Sequence, residues 1–272
     1  MTSLKLRHLK MKEDKMEKIN LSHTHNGSVA RIVLNDGKGN VLDHVMMSEL
    51  IEILNSFKDK NNIKLITFEG AGKHFSFGAS VEEHKKENAA SMLKIFHNIF
   101  YTVLDLSLPT LSKISGQCLG GGMELALVCN FIFADKSAVF GQPEIKLGVF
   151  PPPASVMLPL KIGTARAEDL LITGNSFSAK KGKEAGLINE VFENKEEMEE
   201  KINLWIDENI IPKSAESLRY SVRASRIVFN HLIGKMLPNL EEMYTSKLME
   251  TNDANEGINS FLEKRKPDWK NK

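Results

Sequence analysis

CLGGGMELALVC, residues 118–129, is the most informative stretch of this sequence. Its three glycines, Gly120, Gly121 and Gly122, permit backbone geometry and close approaches that side chains forbid. The residues that follow are apolar apart from Glu124, which predicts a helix buried on nearly every face. Because the N–H groups and the positive dipole end of that helix would face the glycines, the turn and helix are suited to bind an oxyanion.

Glu124 is the one charged residue in this predicted helix. Loss of hydration destabilises a buried carboxylate, and a raised pKa that keeps the group neutral is the usual response. We therefore interpret Glu124 as a candidate acid/base residue. The alternative is a glutamate on an exposed face that stabilises the helix N-terminus.

A second glutamate lies in FGQPEIKLGVFPPPAS, residues 140–155. Pro143 fixes its own φ and restricts Gln142, so the loop that carries Glu144 is expected to be rigid. A loop glutamate is normally solvated, and Glu144 alone would indicate nothing more. Together with Glu124 it predicts a site in which two carboxylates hold one water and divide the roles of general base and general acid.

A third segment, HFSFGASVEEH at residues 74–84, places the small residues Gly78, Ala79 and Ser80 before a charged helical stretch. A turn of small residues allows backbone N–H groups to point outward at a ligand oxygen. The alternative is an ordinary turn between a strand and a helix.

Strand and helical periods alternate along the first two-thirds of the chain, which predicts an α/β fold. The predicted strands are residues 29–34, 63–68, 110–115 and 131–134, and the predicted helices are residues 46–57, 92–103 and 121–130. From about residue 195 the periods are helical. We therefore expect a poorly ordered charged leader (1–18), an α/β core (19–194) and a C-terminal helical region (195–272).

Composition excludes several classes of partner. With 36 Lys and Arg against 35 Asp and Glu, the chain lacks the basic excess of a protein that binds nucleic acid. No run approaches the ~18 apolar residues of a membrane helix, and the leader lacks the apolar segment of a secretory signal. No cluster of Cys and His offers a metal site. The sequence predicts a cytoplasmic protein without a nucleic-acid, membrane or metal partner.

FGASVEEH, CLGGGMELA and GQPEIKLG resemble, in that order, the three site motifs of the crotonase (enoyl-CoA hydratase/isomerase) superfamily. The resemblance covers about residues 17–272 and continues through LPLKIGTARAEDLLITG, SAKKGKEAGLINEV and EGINSFLEKRKPDW. It implies a spiral of ββα units and a C-terminal helical region that assembles homotrimers, or homohexamers as paired trimers. It also implies an acyl-CoA substrate and no cofactor, since CoA is part of the substrate.

By their positions in these motifs, the N–H groups of Ala79 and Gly121 would form the oxyanion hole for the thioester carbonyl. Glu124 and Glu144 match the two catalytic glutamates of the hydratases, with water activation assigned chiefly to Glu124 and proton delivery to Glu144. Isomerases and hydrolases of the superfamily commonly lack one of the two, so this pair indicates water addition. Further residues are predicted to bind the substrate, namely Phe77, Gly78, Gly120, Phe150, Pro152, Lys264 and Lys266. Lys264 or Lys266 would bind a CoA phosphate, either in the same subunit or across a subunit boundary, and a solvated basic helix end is the alternative for them.

The sequence departs from the superfamily pattern after Glu144. Enoyl-CoA hydratases continue with a glycine-rich G-x-G-G-T-Q-R-L run, whereas this chain has Phe150 followed by three prolines, residues 151–153. Prolines remove backbone donors and stiffen the wall of the pocket. The combination of HFSFGASVEEH, GQCLGGGMELAL and GQPEIKLGVFPPPAS is similar to the cyclohexa-1,5-dienecarbonyl-CoA hydratases of anaerobic aromatic degradation in the benzoyl-CoA pathway.

The resemblance therefore implies 1,4-addition of water to cyclohexa-1,5-diene-1-carbonyl-CoA, giving 6-hydroxycyclohex-1-ene-1-carbonyl-CoA. Two alternatives stay open at this point. One is a general enoyl-CoA hydratase of fatty-acid β-oxidation. The other is a CoA- or RNA-binding relative without catalysis, which the presence of both glutamates disfavours.

Overall fold

The computed structural model describes residues 14–272, in which strands and helices alternate before a helical C-terminal part. The strands are β1 (Asp14–Lys15), β2 (Ile19–Thr24), β3 (Val29–Leu34), β4 (Leu65–Gly70), β5 (Thr110–Ile114), β6 (Gln117–Leu119), β7 (Phe131–Asp135), β8 (Val139–Gly141), β9 (Ser176–Ser178) and β10 (Glu190–Phe192). The α-helices are α1 (His44–Asn55), α2 (Lys86–Leu106), α3 (Gly121–Val128), α4 (Pro152–Ile162), α5 (Thr164–Thr173), α6 (Ala179–Glu184), α7 (Lys195–Asn209), α8 (Ala215–Ser225), α9 (Ile227–Ser246) and α10 (Asn252–Leu262). Short 3₁₀ helices span His25–Gly27, Val81–His84, Pro143–Leu147 and Leu248–Glu250.

The strands form two sheets. The larger sheet has the order β1-β2-β3-β4-β5-β7-β10, in which β1 to β3 are antiparallel neighbours and β3 to β10 are parallel. The smaller sheet has the order β6-β8-β9. Successive turns of the chain add one strand to each sheet before a helix, first β5, β6 and α3, then β7, β8 and α4. This winding is the spiral of ββα units that the resemblance implies.

The sequence patterns produce these elements for simple reasons. In α1 the side chain of Asp43 caps the helix by accepting a hydrogen bond from the Met46 N–H, and the apolar stripe that includes Leu50 is buried. Strand β4 begins at Leu65, two residues after the predicted start, because the Ile63 N–H bonds to the Lys60 carbonyl in a turn. The predicted helix and strand are therefore present, and the start of β4 is shifted because a turn forms where the strand was expected to begin.

Helix α7 covers the second face of the larger sheet. Its residues Met198, Ile202 and Ile206 pack in one cluster with Leu65 and Phe133 of the strands. The predicted boundary at residue 195 therefore does not separate two units. Residues 195–209 are part of the core, because the parallel strands need apolar cover on both faces.

The start of the described chain is joined to the sheet. Strand β1 pairs with β2, and the backbone N–H groups of Glu17 and Lys18 donate to the Glu49 carboxylate. The predicted leader, which ended at residue 18, therefore extends too far, because residues 14–18 are bonded to the core. Residues 1–13 lie outside the described part of the chain.

The C-terminal helices fold back over the rest of the chain. Helix α9 packs against α2 and α4, and α10 packs against the two 3₁₀ helices that contain Glu82 and Glu144. These contacts lie within a single chain, so the C-terminal region helps to enclose the site described below. No helix in residues 14–272 has the length and apolar character needed to span a bilayer.

Candidate active site

A cavity of about 790 Å³ brings the three motifs together. One wall comes from residues 77–84, a second from residues 119–124 and a third from residues 143–152. Helices α2, α9 and α10 close the remaining sides. The lining includes most of the residues predicted from the sequence, namely Phe77, Gly78, Ala79, Gly120, Gly121, Glu124, Glu144, Phe150 and Pro152.

Two glycine-containing turns touch each other at the base of the cavity. Gly78 has a φ of +100°, and a Cβ atom there would lie 2.8 Å from the Leu119 carbonyl oxygen. A Cβ atom on Gly121 would lie 3.1 Å from the Ala79 nitrogen. Glycine at both positions therefore lets the two backbones approach closely.

The predicted oxyanion donors are neighbours across this contact. Within residues 14–272, neither the Ala79 N–H nor the Gly121 N–H donates to a protein acceptor. Gly121 is the first residue of α3, where the positive end of the helix dipole also favours negative charge. The arrangement can bind an oxygen that gains negative charge during a reaction.

Glu124 is buried in α3, with 3% of its surface exposed. Every residue of α3 is buried, as predicted, so the alternative of an exposed glutamate at the helix end is wrong. The Oε1 atom of Glu124 accepts a hydrogen bond of 2.8 Å from the Ala154 N–H. Its carboxyl group is therefore held in one orientation.

Ala154 was not among the predicted site residues, although the two prolines that precede it indicate its role. Helix α4 begins with Pro152 and Pro153, which carry no N–H. Ala154 therefore supplies the first backbone donor of that helix, and this donor is aimed at Glu124. The prolines were predicted to remove backbone donors from the wall. In the structure the first N–H group after them, that of Ala154, donates to the Glu124 carboxylate.

Glu144 lies in the 3₁₀ helix Pro143–Leu147 rather than in an irregular loop. The Gln142 side chain, which is fully buried, can place its amide nitrogen 3.0 Å from Oε2 and 3.1 Å from Oε1 of Glu144. A Cβ atom on Gly120 would lie 2.6 Å from that Oε1. The carboxylate is therefore fixed between a buried amide and a bare glycine backbone, and it faces the cavity.

Burial raises the pKa of both glutamates. For Glu124 burial is the largest cause, the negative charge of Glu144 raises its pKa further, and the Ala154 N–H opposes both. Burial raises the pKa of Glu144 to about 8. Because the charge of an ionised Glu144 raises the pKa of Glu124 further, we expect Glu144 to lose its proton first and Glu124 to stay neutral. One neutral and one ionised carboxyl group beside one cavity form an acid/base pair.

Aromatic side chains form much of the remaining wall. Phe96 of α2 lines the cavity, and the rings of Phe150 and Tyr244 meet edge to face with centroids 5.5 Å apart. Phe150 was predicted, whereas Phe96 and Tyr244 were not. Phe96 and Tyr244 lie on helices outside the three motifs, and their places in the cavity wall depend on how those helices pack in the fold.

The predicted lysines at the C-terminal end do not line the cavity in this chain, whereas Arg265 does. Lys264 follows the end of α10 and has a φ of +55°. The Arg265 guanidinium pairs with Glu256 and Glu263. The assignment of Lys264 and Lys266 to a CoA phosphate therefore has no support within one chain. In residues 14–272 no group of three or more His, Cys, Asp or Glu side chains is placed to hold a metal ion.

The chain belongs to the enoyl-CoA hydratase/isomerase family, whose model matches residues 24–272. The predicted crotonase resemblance and the predicted class of enzyme, an acyl-CoA hydratase, are thereby confirmed. A relative from Thauera aromatica, described as cyclohexa-1,5-dienecarbonyl-CoA hydratase, is 42% identical over 90% of this chain and 94% of its own length. The predicted similarity to that group of hydratases is therefore also confirmed.

Two further comparisons agree. A probable mitochondrial enoyl-CoA hydratase from Dictyostelium discoideum is 30% identical over 90% of this chain and 89% of its own length. The crystal structure of an enoyl-CoA hydratase from Mycobacterium avium subsp. paratuberculosis K-10 matches with a TM-score of 0.83 at 20% identity. That match covers 94% of this chain and 100% of the solved one, and it shows the shared fold.

Proposed function

We propose that this enzyme catalyses 1,4-addition of water to cyclohexa-1,5-diene-1-carbonyl-CoA, forming 6-hydroxycyclohex-1-ene-1-carbonyl-CoA. The observation that carries the proposal is a pair of glutamates, buried Glu124 and partly buried Glu144, that line the same cavity as Ala79 and Gly121. The choice of a ring substrate is supported by the similarity to the Thauera aromatica hydratase and by the wall of Phe150 and prolines.

The reaction follows from conjugation in the substrate. The Ala79 and Gly121 N–H groups bind the thioester oxygen and stabilise the charge that develops on it. The ionised glutamate takes a proton from water, and the water oxygen forms a bond to ring carbon 2, which is β to the carbonyl. The resulting dienolate spreads its charge over the carbonyl oxygen, carbon 1 and carbon 5.

Protonation of carbon 5 by the neutral glutamate completes the addition and moves the remaining double bond. The different environments of the two glutamates support Glu144 as the base and Glu124 as the acid. This exchanges the roles that were assigned from the resemblance. No step requires a cofactor or a metal ion, because the thioester itself withdraws the electrons.

The shape of the cavity supports a cyclic acyl group. Pro151 and Pro152 line the cavity, as do the rings of Phe150 and Tyr244, which contact each other edge to face. A stiff aromatic wall favours a flat, rigid group over a long flexible chain, because a rigid group loses less conformational entropy on binding. We expect a higher kcat/KM for the cyclohexadienoyl thioester than for crotonyl-CoA, and poor use of long-chain enoyl-CoA.

An assay of both thioesters with the purified protein, repeated in heavy water, tests this proposal. Deuterium should enter carbon 5 of the substrate ring, and a variant with glutamine at both Glu124 and Glu144 serves as the inactive control. A preference for crotonyl-CoA, or deuterium at the α carbon, would instead assign the protein to the general enoyl-CoA hydratases. Absence of water addition to either thioester would contradict the hydratase mechanism itself.

We also propose that the chain assembles as a homotrimer or homohexamer. Helix α8 has no buried residue, and Tyr220, Ile227 and Val228 of α8 and α9 are exposed apolar side chains within one chain. Sedimentation of the intact protein should give three or six times the mass of one chain. Joint replacement of Ile227 and Val228 by aspartate should reduce that mass, because charge in a buried apolar contact is strongly unfavourable. A monodisperse monomer of the unaltered protein would refute the proposed assembly.

A further inference from the structure

Tyr244 lies in α9, about 100 residues along the chain from the second glutamate, and lines the cavity. Only 1% of its surface is exposed, and its ring is held edge to face against Phe150. The hydroxyl oxygen is fully buried, and it has no hydrogen-bond partner within residues 14–272. Buried hydroxyl groups in proteins nearly always have a partner, so this one indicates a group that binds in the cavity.

Tyr244 lines the same cavity as both glutamates. Burial raises the pKa of Tyr244, and the negative charges of Glu144 and Glu124 raise it further. The phenol therefore keeps its proton throughout the range in which the glutamates act. At this position it is a neutral hydrogen-bond donor rather than a proton-transfer group.

The wall of the cavity formed by residues 150–154 offers no other free hydrogen-bond donor among its backbone N–H groups at Pro151, Pro152 and Ala154. Pro151 and Pro152 line it without an N–H, and the Ala154 N–H is already bonded to Glu124. The thioester oxygen is accounted for by the amides of Ala79 and Gly121. The oxygen atom that must lie beside the two glutamates is the one that is added to the substrate.

We propose that the Tyr244 O–H donates a hydrogen bond to the oxygen of the added water and, after addition, to the new hydroxyl of the product. One O–H bond of the water breaks and its proton passes to a glutamate. One lone pair of the oxygen forms the C–O bond, and a second lone pair accepts from Tyr244. This inference rests on the proposed hydratase function but not on which acyl group is hydrated.

Tyr244→Phe tests the inference because it removes the oxygen and keeps the ring against Phe150. Inhibition constants are measured for two thioesters, 6-hydroxycyclohex-1-ene-1-carbonyl-CoA and cyclohexane-1-carbonyl-CoA, of which only the first carries the hydroxyl. The variant should bind the hydroxylated thioester about tenfold more weakly and the saturated one unchanged. Its kcat should fall by about 10- to 100-fold with little change in KM. Tyr101→Phe, the same chemical change on α2 outside the cavity, should alter none of these values.

Thermal unfolding provides a second measurement on the same protein. Without ligand, Tyr244→Phe should be at least as stable as the unaltered enzyme, since it removes a buried hydroxyl that has no partner. The stabilisation produced by the hydroxylated thioester should be smaller in the variant, while that produced by the saturated one should be equal.

Equal weakening of both thioesters would show a structural role for Tyr244 and overturn the inference. Unchanged binding and unchanged kcat would overturn it as well, while the hydratase function would stand because the unaltered enzyme remains active. Failure of the unaltered enzyme to add water to any acyl-CoA would instead contradict the proposed function, and the inference with it.

Discussion

Glu124→Gln and Glu144→Gln should each lower kcat by a factor of about 10² or more. A general acid or general base typically accelerates a reaction by a factor of about 10² to 10⁴. Glutamine has nearly the shape of a protonated glutamate but can neither give nor accept the proton. Glu124→Gln retains a side-chain oxygen for the Ala154 N–H, so the fold should survive. Single-turnover measurements with the preferred thioester provide the test, and circular dichroism checks the fold.

The pH dependence distinguishes the two roles. Because burial raises the pKa of Glu144 to about 8, kcat/KM of the unaltered enzyme should rise with pH until about pH 8, as that group loses its proton. It should fall at higher pH, once Glu124 also ionises. In Glu144→Gln the residual rate should lose the rising limb, because the base that titrates there is absent.

The pH profile of Glu124→Gln provides the comparison with Glu144→Gln. In Glu124→Gln the rise of kcat/KM with pH should remain, because Glu144 is still present. A limb that disappears in Glu124→Gln and persists in Glu144→Gln would return the role of base to Glu124. Near-full activity in either variant would contradict the paired-carboxylate mechanism altogether.

Gly120→Ala should lower kcat by about 10² or more, because a displacement of the catalytic group by about 1 Å can have that effect. Gly120 has a φ of +50°, and the added Cβ would lie 2.6 Å from Oε1 of Glu144. The carboxylate would have to move away from its position beside the cavity. Steady-state kinetics and the pH profile of the variant measure the consequence.

Gly186→Ala is the matched control. Gly186 also has a positive φ, +80°, but a Cβ atom there meets nothing within 4 Å. Both variants therefore share the backbone strain, and only Gly120→Ala disturbs the glutamate. Equal losses of activity in the two variants would mean that strain, rather than the carboxylate, explains the result.

Some features of the fold and the site follow from short-range pattern. The alternation of strand and helical periods gives the α/β class, because side-chain spacing of 2 and 3.6 residues is a local property. The apolar surroundings of Glu124 in α3 indicate its burial for the same reason. The three motifs could be recognised because each positions its own backbone or carboxylate through glycines or a proline close in sequence.

Other features depend on contacts between residues far apart in the chain. The hydrogen bond from Ala154 to Glu124 joins residues 30 positions apart, and no local pattern relates the two. Arg265 lines the cavity, whereas Lys264 and Lys266, which were predicted from the resemblance, do not. The strand Asp14–Lys15 is ordered because β2 is there to pair with it, although its own sequence is charged.

Tyr244 shows the difference most clearly. Within α9 it is one of several apolar and aromatic residues, and nothing in the neighbouring sequence distinguishes it from a core side chain. Packing of α9 on α2 and α4 makes Tyr244 part of the lining of the cavity that contains both glutamates. Sequence patterns therefore indicate the α/β class and the glutamates and backbone amides that we propose as the reactive groups, because these patterns depend on local spacing. The partners that orient those groups emerged from helix packing, because a hydrogen bond depends on distance in space and not on separation along the chain.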